Sequence, residues 1–267
     1  IKSEDTLPNF ATMKLTHFVC AIVATIFTIQ VTAQTERNID SKLIQAPHIS
    51  FHIGGFIPGL ELNDRYGTFG TVGGTFGVKN KKNNYWGLKA MLITGADCQI
   101  PNLLENLMTD NGEIIDNEGD IAQINVYGRG GMFGLEAGKV FNEALPSPNP
   151  NSGLLLKIGA GSIHHKIRFD YTENHITQLE GDYLPGYDRL TWGIYGSFFA
   201  GYWFMDEKKR MNYYAGFTGF GAQTYPMRTT NFDTGIPDID PRKEFGFGVE
   251  IGWVLHIYER APQEFWY

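Results

Sequence analysis

The chain is poor in cysteine, poor in charge and nearly without long apolar runs. Cys20 and Cys98 are the only two cysteines in 267 residues. That number excludes a disulfide-stapled scaffold and a cysteine-based zinc site. Charged residues make up 19%, with 22 basic against 29 acidic side chains and a net charge of −7. No basic cluster stands against that balance, so a nucleic-acid footprint is excluded. One apolar run of about 14 residues, Phe18 to Val31, is too short to cross a bilayer as a helix.

That run has the form of a secretion signal. Met13-Lys14 opens a short basic region, and Val31-Thr32-Ala33 is a small-residue cleavage site, so residues 13–33 are expected to be a signal peptide and Gln34 the first mature residue. Residues 1–12 are expected to be an upstream extension. Cys20 lies within the run without a lipobox, which leaves Cys98 as the one cysteine of the mature chain.

What the chain has in quantity is glycine (32) and aromatic residues (14%), arranged in long alternating stretches. The clearest is EFGFGVEIGWVLHIY at 244–258. Phe245, Phe247, Val249, Ile251, Trp253, Leu255 and Ile257 fall on one face, with the mostly small, polar or amphipathic Gly246, Gly248, Glu250, Gly252, Val254, His256 and Tyr258 on the other. Period-two alternation over so many residues describes a strand with one greasy and one small or polar face. Soluble strands average about 5–6 residues, whereas a tilted strand that crosses a bilayer, with lipid outside and a polar lumen inside, fits this length.

Similar stretches recur. Pro47–Pro58, Arg65–Lys79, Tyr85–Gly95, Asp120–Phe141, Gly153–Asp170, Asp188–Met205 and Met211–Tyr225 are predicted strands, and 244–258 completes the set. In the fourth, Ala122, Ile124 and Val126 are expected to face out and Gln123, Asn125 and Arg129 in, with a change of phase at Gly130-Gly131. The fifth is expected to slip near Gly159–Gly161. A glycine pair at a change of phase is a two-residue turn or a β-bulge. A turn would give nine strands and a bulge eight, and a single-chain barrel with both ends in the periplasm needs an even number. The expected fold is therefore all-β: one antiparallel transmembrane β-barrel of eight strands at 47–258, after a flexible periplasmic leader at 34–46 and before a tail at 259–267. Connections 80–84, 142–152 and 206–210 then fall on one, periplasmic side. Connections 59–65, 96–119, 171–187 and 226–243, three of them long, fall on the other. Tyr66, Tyr85, Trp86, Trp192, Tyr202, Trp203, Tyr213, Tyr214, Trp253 and Tyr258 are expected to form interfacial girdles.

An eight-stranded barrel has an interior that side chains fill. Lys89, Arg129, Glu136, Arg168 and Glu250 are the expected lumen polar network, paired because isolated buried charges are costly. No cofactor, metal or catalytic site is expected. Ser162 with His164, His165 and Asp170 invites a lipid-hydrolase reading, but adjacent strand residues face opposite sides, so both histidines cannot serve one site. His48 and His52 share a face about 13 Å apart, too far for one metal. Asp233, Asp238 and Asp240 lack the spacing of a calcium loop.

Two resemblances add to this reading. Glu250-x-Gly252-x-x-Leu255-x-Ile257 resembles the C-terminal β-signal of bacterial outer-membrane proteins, which implies the barrel-assembly machinery as a partner during insertion. The segments 153–170, 181–190 (GDYLPGYDRL) and 247–267, with the signal peptide ending Ala-Gln, resemble small outer-membrane β-barrel proteins of the Bacteroidota. The resemblance implies a porin-like or accessory barrel in the outer membrane. Such a barrel meets lipid and, in some cases, other subunits of secretion or assembly complexes. The alternatives are a narrow pore for small solutes, a lipid-modifying enzyme, or a soluble lipocalin-like barrel whose odd positions at 245–257 would point inward.

Overall fold

The computed structural model describes residues 43–147, 149–171, 175–208 and 211–258. The expected extension, the signal peptide, the leader before Leu43 and the tail 259–267 lie outside the described residues. Eight antiparallel strands run in chain order: β1 (Ala46–Leu60), β2 (Phe69–Lys79), β3 (Asn84–Asp97), β4 (Asn125–Phe141), β5 (Gly153–Asp170), β6 (Thr191–Met205), β7 (Asn212–Pro226) and β8 (Arg242–His256). Each pairs with the next, and β8 pairs back with β1 from His48↔His256 to Leu60↔Glu244, which closes the sheet into a barrel. Among the described residues there is no α-helix, only single 3₁₀ turns at Glu105–Leu107, Thr177–Leu179 and Leu184–Gly186.

The alternation in β8 is obeyed: all seven apolar odd positions from Phe245 to Ile257 are exposed on the outside. Outward residues on the other strands, including Phe51 and Ile53 of β1, Phe133 and Leu135 of β4 and Ile158 of β5, join them in an apolar belt around the barrel. A lipocalin-like barrel would turn these residues inward, and this one does not.

At one end the connections are short. In the β2–β3 turn the Asn80 side-chain oxygen accepts the backbone N–H groups of Lys82 and Asn84, and Asn83 takes the left-handed conformation (φ 60°) that asparagine tolerates. The other end carries the long connections 98–124, 171–190 and 227–241.

Several expectations need correction. β4 pairs without interruption through Gly130 and Gly131, so neither a turn nor a bulge lies there. The irregular register belongs to β3, between Ile93 and Ala96, where Gly95 has φ 74°. β5 does not slip either. The apparent changes of phase arise because the lumen is apolar at the long-loop end. Ala122, Ile124 and Val126 pack against an inner cluster that includes Ile163, Ile167 and Phe169, instead of facing out. Tyr66 precedes β2 and, with Tyr85, Trp203 and Tyr214, is buried in the lumen rather than in a girdle. Trp86, Trp192, Tyr213 and Trp253 do face outward. The last leader residues are not loose: Ile44 is buried at the short-turn mouth, and its N–H donates to Asn151 Oδ1 at 2.9 Å.

Glycine makes the barrel narrow enough to close. A Cβ on Gly248 would stand 1.8 Å from the Gly55 carbonyl oxygen across the β1–β8 seam, whereas one on Gly55 would meet nothing within 4 Å. Gly248→Val is therefore expected to lower stability by about 1–3 kcal/mol, while Gly55→Ala leaves it within about 0.5 kcal/mol. The urea midpoint for loss of the folded, fast-migrating gel band measures both.

Candidate functional site

The lumen is filled in four layers, and the second from the short-turn end is ionic. Lys89 comes from β3, Glu136 from β4, Lys157 from β5 and Glu250 from β8, each on the inward parity of its strand. All are buried, with exposures of 8, 7, 4 and 1%. Lys89 Nζ lies 2.6 Å from Glu250 and 3.9 Å from Glu136, and Lys157 Nζ lies 3.4 Å from each carboxylate. Two cations and two anions thus cancel.

The remaining acceptor positions are met by hydroxyls. Tyr214 donates to Glu250 at 3.0 Å, and Thr75 (3.2 Å) and Tyr85 donate to Glu136. The Lys157 ammonium also stands 4.3 Å from the Tyr214 ring centre and 4.7 Å from that of Phe199, positions that favour a cation over an aromatic face. Each carboxylate has glycine on both flanks. Glu136 pairs with Gly87 and Gly159, and Glu250 with Gly54 and Gly216. Those gaps let lysines from other strands reach across the lumen.

Towards the long loops the lumen becomes apolar. Phe56 and Phe69 stack at 5.4 Å, and Phe220 lies 5.7 Å from Phe56. Met91, Met132, Ile93 and Ile163 complete a plug. Between plug and ionic layer, the cavity lined by Lys89, Met91, Tyr195 and Phe220 holds about 10 Å³, room for one water.

Above the plug a second polar group closes the mouth. His165 Nε2 lies 2.9 and 3.0 Å from the two oxygens of Glu244, and its Nδ1 lies 3.4 Å from the Tyr66 hydroxyl. Burial pushes the Tyr66 phenol up to about 12, which keeps it a neutral partner. Arg65 crosses the mouth to the Thr191 hydroxyl (3.0 Å) and the Arg189 carbonyl (2.9 Å). The loops are tied by Arg228 forked onto Asp188, which holds the guanidinium pKa above its ordinary value, and by Arg189 on Asp233.

At the short-turn mouth, His48 stacks on Tyr85 and packs edge-on to Trp203, while buried Lys79 donates to Asn151 Oδ1 at 3.0 Å.

Of the five expected network residues, the structure brings together Lys89, Glu136 and Glu250. It places Arg129 and Arg168 on the outer surface, on the opposite parity, together with exposed Gln123 and Asn125. The physical reason is the layering: near the long-loop rim the interior is mostly apolar, with His165 and Glu244 already paired to each other, and the exterior is polar. Lys157 was missed. Its signal is a lone cation between outward Leu156 and Ile158, visible once β5 is read without a slip.

The residues of the hydrolase reading are scattered. Ser162 and His164 point outward and Asp170 sits at the rim, whereas His165 points inward to Glu244. Asp233 and Asp238 are paired with Arg189 and Arg242, and Asp240 is exposed. Among the β-signal-like residues, Gly252 and Glu250 face the lumen, and Leu255 and Ile257 face out.

Fold and interior together define a small closed antiparallel barrel with a side-chain-filled lumen. No family model matches the chain, and no curated protein does. Solved structures similar to it include Neisserial surface protein A, at 9% identity over 79% of this chain and 97% of that one, with a TM-score of 0.41. The N-terminal β-barrel domain of OprF from Pseudomonas aeruginosa matches at 12% identity over 79% and 99%, TM-score 0.36. The outer membrane protein OprG from the same organism matches at 10% over 82% and 100%, TM-score 0.37. The eight-stranded closure itself rests on this chain's own strand pairing.

Breaking one partner of a buried ion group leaves an uncompensated charge. Glu250→Ala is expected to cost about 3–5 kcal/mol, read as a lower urea midpoint. Combining Lys89→Met with Glu250→Gln should recover part of the loss.

Proposed function

We propose that this chain is an integral barrel of the bacterial outer membrane with a structural or accessory role, both barrel ends lying in the periplasm. The observation that carries the reading is the pairing of an outward apolar belt with a lumen that is packed shut. A belt of that kind belongs against lipid, and a closed sheet leaves no unpaired backbone edge in it. A lumen filled by the Phe56–Phe69–Phe220 plug and a neutralised ion group argues against a solute path. What remains for binding is the outer wall and the loops at 98–124, 171–190 and 227–241.

The segments that resemble Bacteroidota barrels support a subunit role in an outer-membrane secretion or assembly complex. The β-signal-like end supports delivery by the barrel-assembly machinery. Catalysis is not part of the reading, because Ser162 and the two neighbouring histidines share no site.

A tagged copy extracted from native membranes in mild detergent tests it. The account expects resistance to carbonate extraction, a heat-shifted gel band, stoichiometric partner subunits and electrically silent bilayers. Extraction by carbonate would end the membrane reading, steady conductance would favour the narrow pore, and altered lipid in the presence of the pure protein would favour an enzyme.

A further inference from the structure

The two arginines that the lumen excludes have company on the outside. Arg129 of β4 is directly opposite Lys166 of β5, and Arg168 lies one outward position farther towards the rim, opposite Tyr127. Arg129 and Arg168 are exposed, and among the described residues neither has a carboxylate within 4.0 Å. Among the described residues, the carboxylate contact of Lys166 is a long one, 3.8 Å to Asp188. Like charges directly opposite on neighbouring strands, with Cβ atoms about 4.5–5.5 Å apart, are destabilising. An anion between them reverses the sign.

The height of this rung identifies the kind of anion. Following β4 and β5 towards the rim, apolar Phe133, Leu135 and Ile158 give way at the rung of Gly131 and His164, beside outward Trp192 on β6. Tryptophan at that position marks a membrane–water interface. The Arg129–Lys166 rung is the next one out, about 7 Å farther along the strands. Of the carboxylates nearby, Asp188 lies 3.8 Å from Lys166 but is buried and held by Arg228, Asp97 stands at the height of Arg168 across Tyr127, and Asp170 lies one rung farther out, opposite Asn125. Arg129 and Lys166 therefore stand where headgroup phosphates lie, with Asp97 and Asp170 farther towards the rim.

We propose that the outward patch of Arg129, Lys166 and Arg168 holds a phosphorylated lipid headgroup against the wall of the barrel. The guanidinium groups fork onto phosphate oxygens and Lys166 supplies a point charge, while the acyl chains lie along Phe133, Leu135 and Ile158. This inference rests on the membrane reading above.

The test uses the full chain purified in mild detergent. Three probes are titrated and followed by native mass spectrometry: a glycolipid with two headgroup phosphates, the same lipid dephosphorylated, and inorganic phosphate. The wild-type barrel is expected to bind the phosphorylated lipid at least about tenfold more tightly than a variant carrying Arg129→Gln, Lys166→Gln and Arg168→Gln. The dephosphorylated lipid should bind the wild type no better than the variant does, and millimolar phosphate should not displace the lipid. Arg129→Gln alone should show a smaller loss, and it replaces the triple variant should that one not insert. Equal affinity of wild type and variant, or of the two lipids, overturns the proposal. Displacement by inorganic phosphate overturns it in favour of a free-anion site. A heat-shifted band and carbonate resistance in the variants report the membrane reading separately from the lipid site.

Discussion

Closure is the constraint on which the rest of this molecule depends. A sheet whose outer face is apolar cannot leave a strand edge open in lipid, because each unpaired N–H or C=O there costs several kcal/mol. The β1–β8 seam removes the edge, and it runs over thirteen residue pairs from His48↔His256 to Leu60↔Glu244. Eight strands closed in this way leave an interior only wide enough for side chains. The wall must therefore supply its own filling, and glycines at Gly54, Gly87, Gly159 and Gly216 set aside the space for it.

The filling is graded along the barrel axis. At the short-turn mouth, aromatic rings and Ile44 pack around His48. Next come two lysines and two glutamates whose charges cancel, then an apolar plug, and finally the Tyr66–His165–Glu244 group beneath the loops. Outside, the gradient runs the other way. The wall is apolar around the ionic layer and turns basic near the rim, at Arg129, Lys166 and Arg168. Polarity inside and outside is thus out of step, which separates this barrel from a uniformly polar tube in a uniformly greasy coat.

That mismatch explains how much the sequence made legible. Strand 244–258 could be read residue by residue, because outward apolar and inward small or polar positions alternate over its whole length. Lys89, Glu136 and Glu250 followed from the same parity. Arg129 and Arg168 did not, since the rule that charges face inward holds only at belt height. Near the rim charges face both ways, Glu244 inward and Arg129 and Arg168 outward, and Ala122, Ile124 and Val126, which face the inner cluster, looked like an outer surface. Lys157 was hidden by the slip wrongly assigned to Gly159–Gly161. Which lysine meets which carboxylate depends on how the strands curl, and no local pattern records that.

The direct test of the account is which tryptophans touch lipid. Single-tryptophan variants retaining either Trp253, on the outer wall, or Trp203, buried in the lumen, can be placed in vesicles containing brominated acyl chains. The account predicts strong quenching of Trp253 by the brominated chains and none of Trp203, with neither reached by aqueous acrylamide. Quenching of Trp203 by lipid, or of Trp253 by acrylamide alone, would contradict a closed barrel with its apolar belt in the membrane.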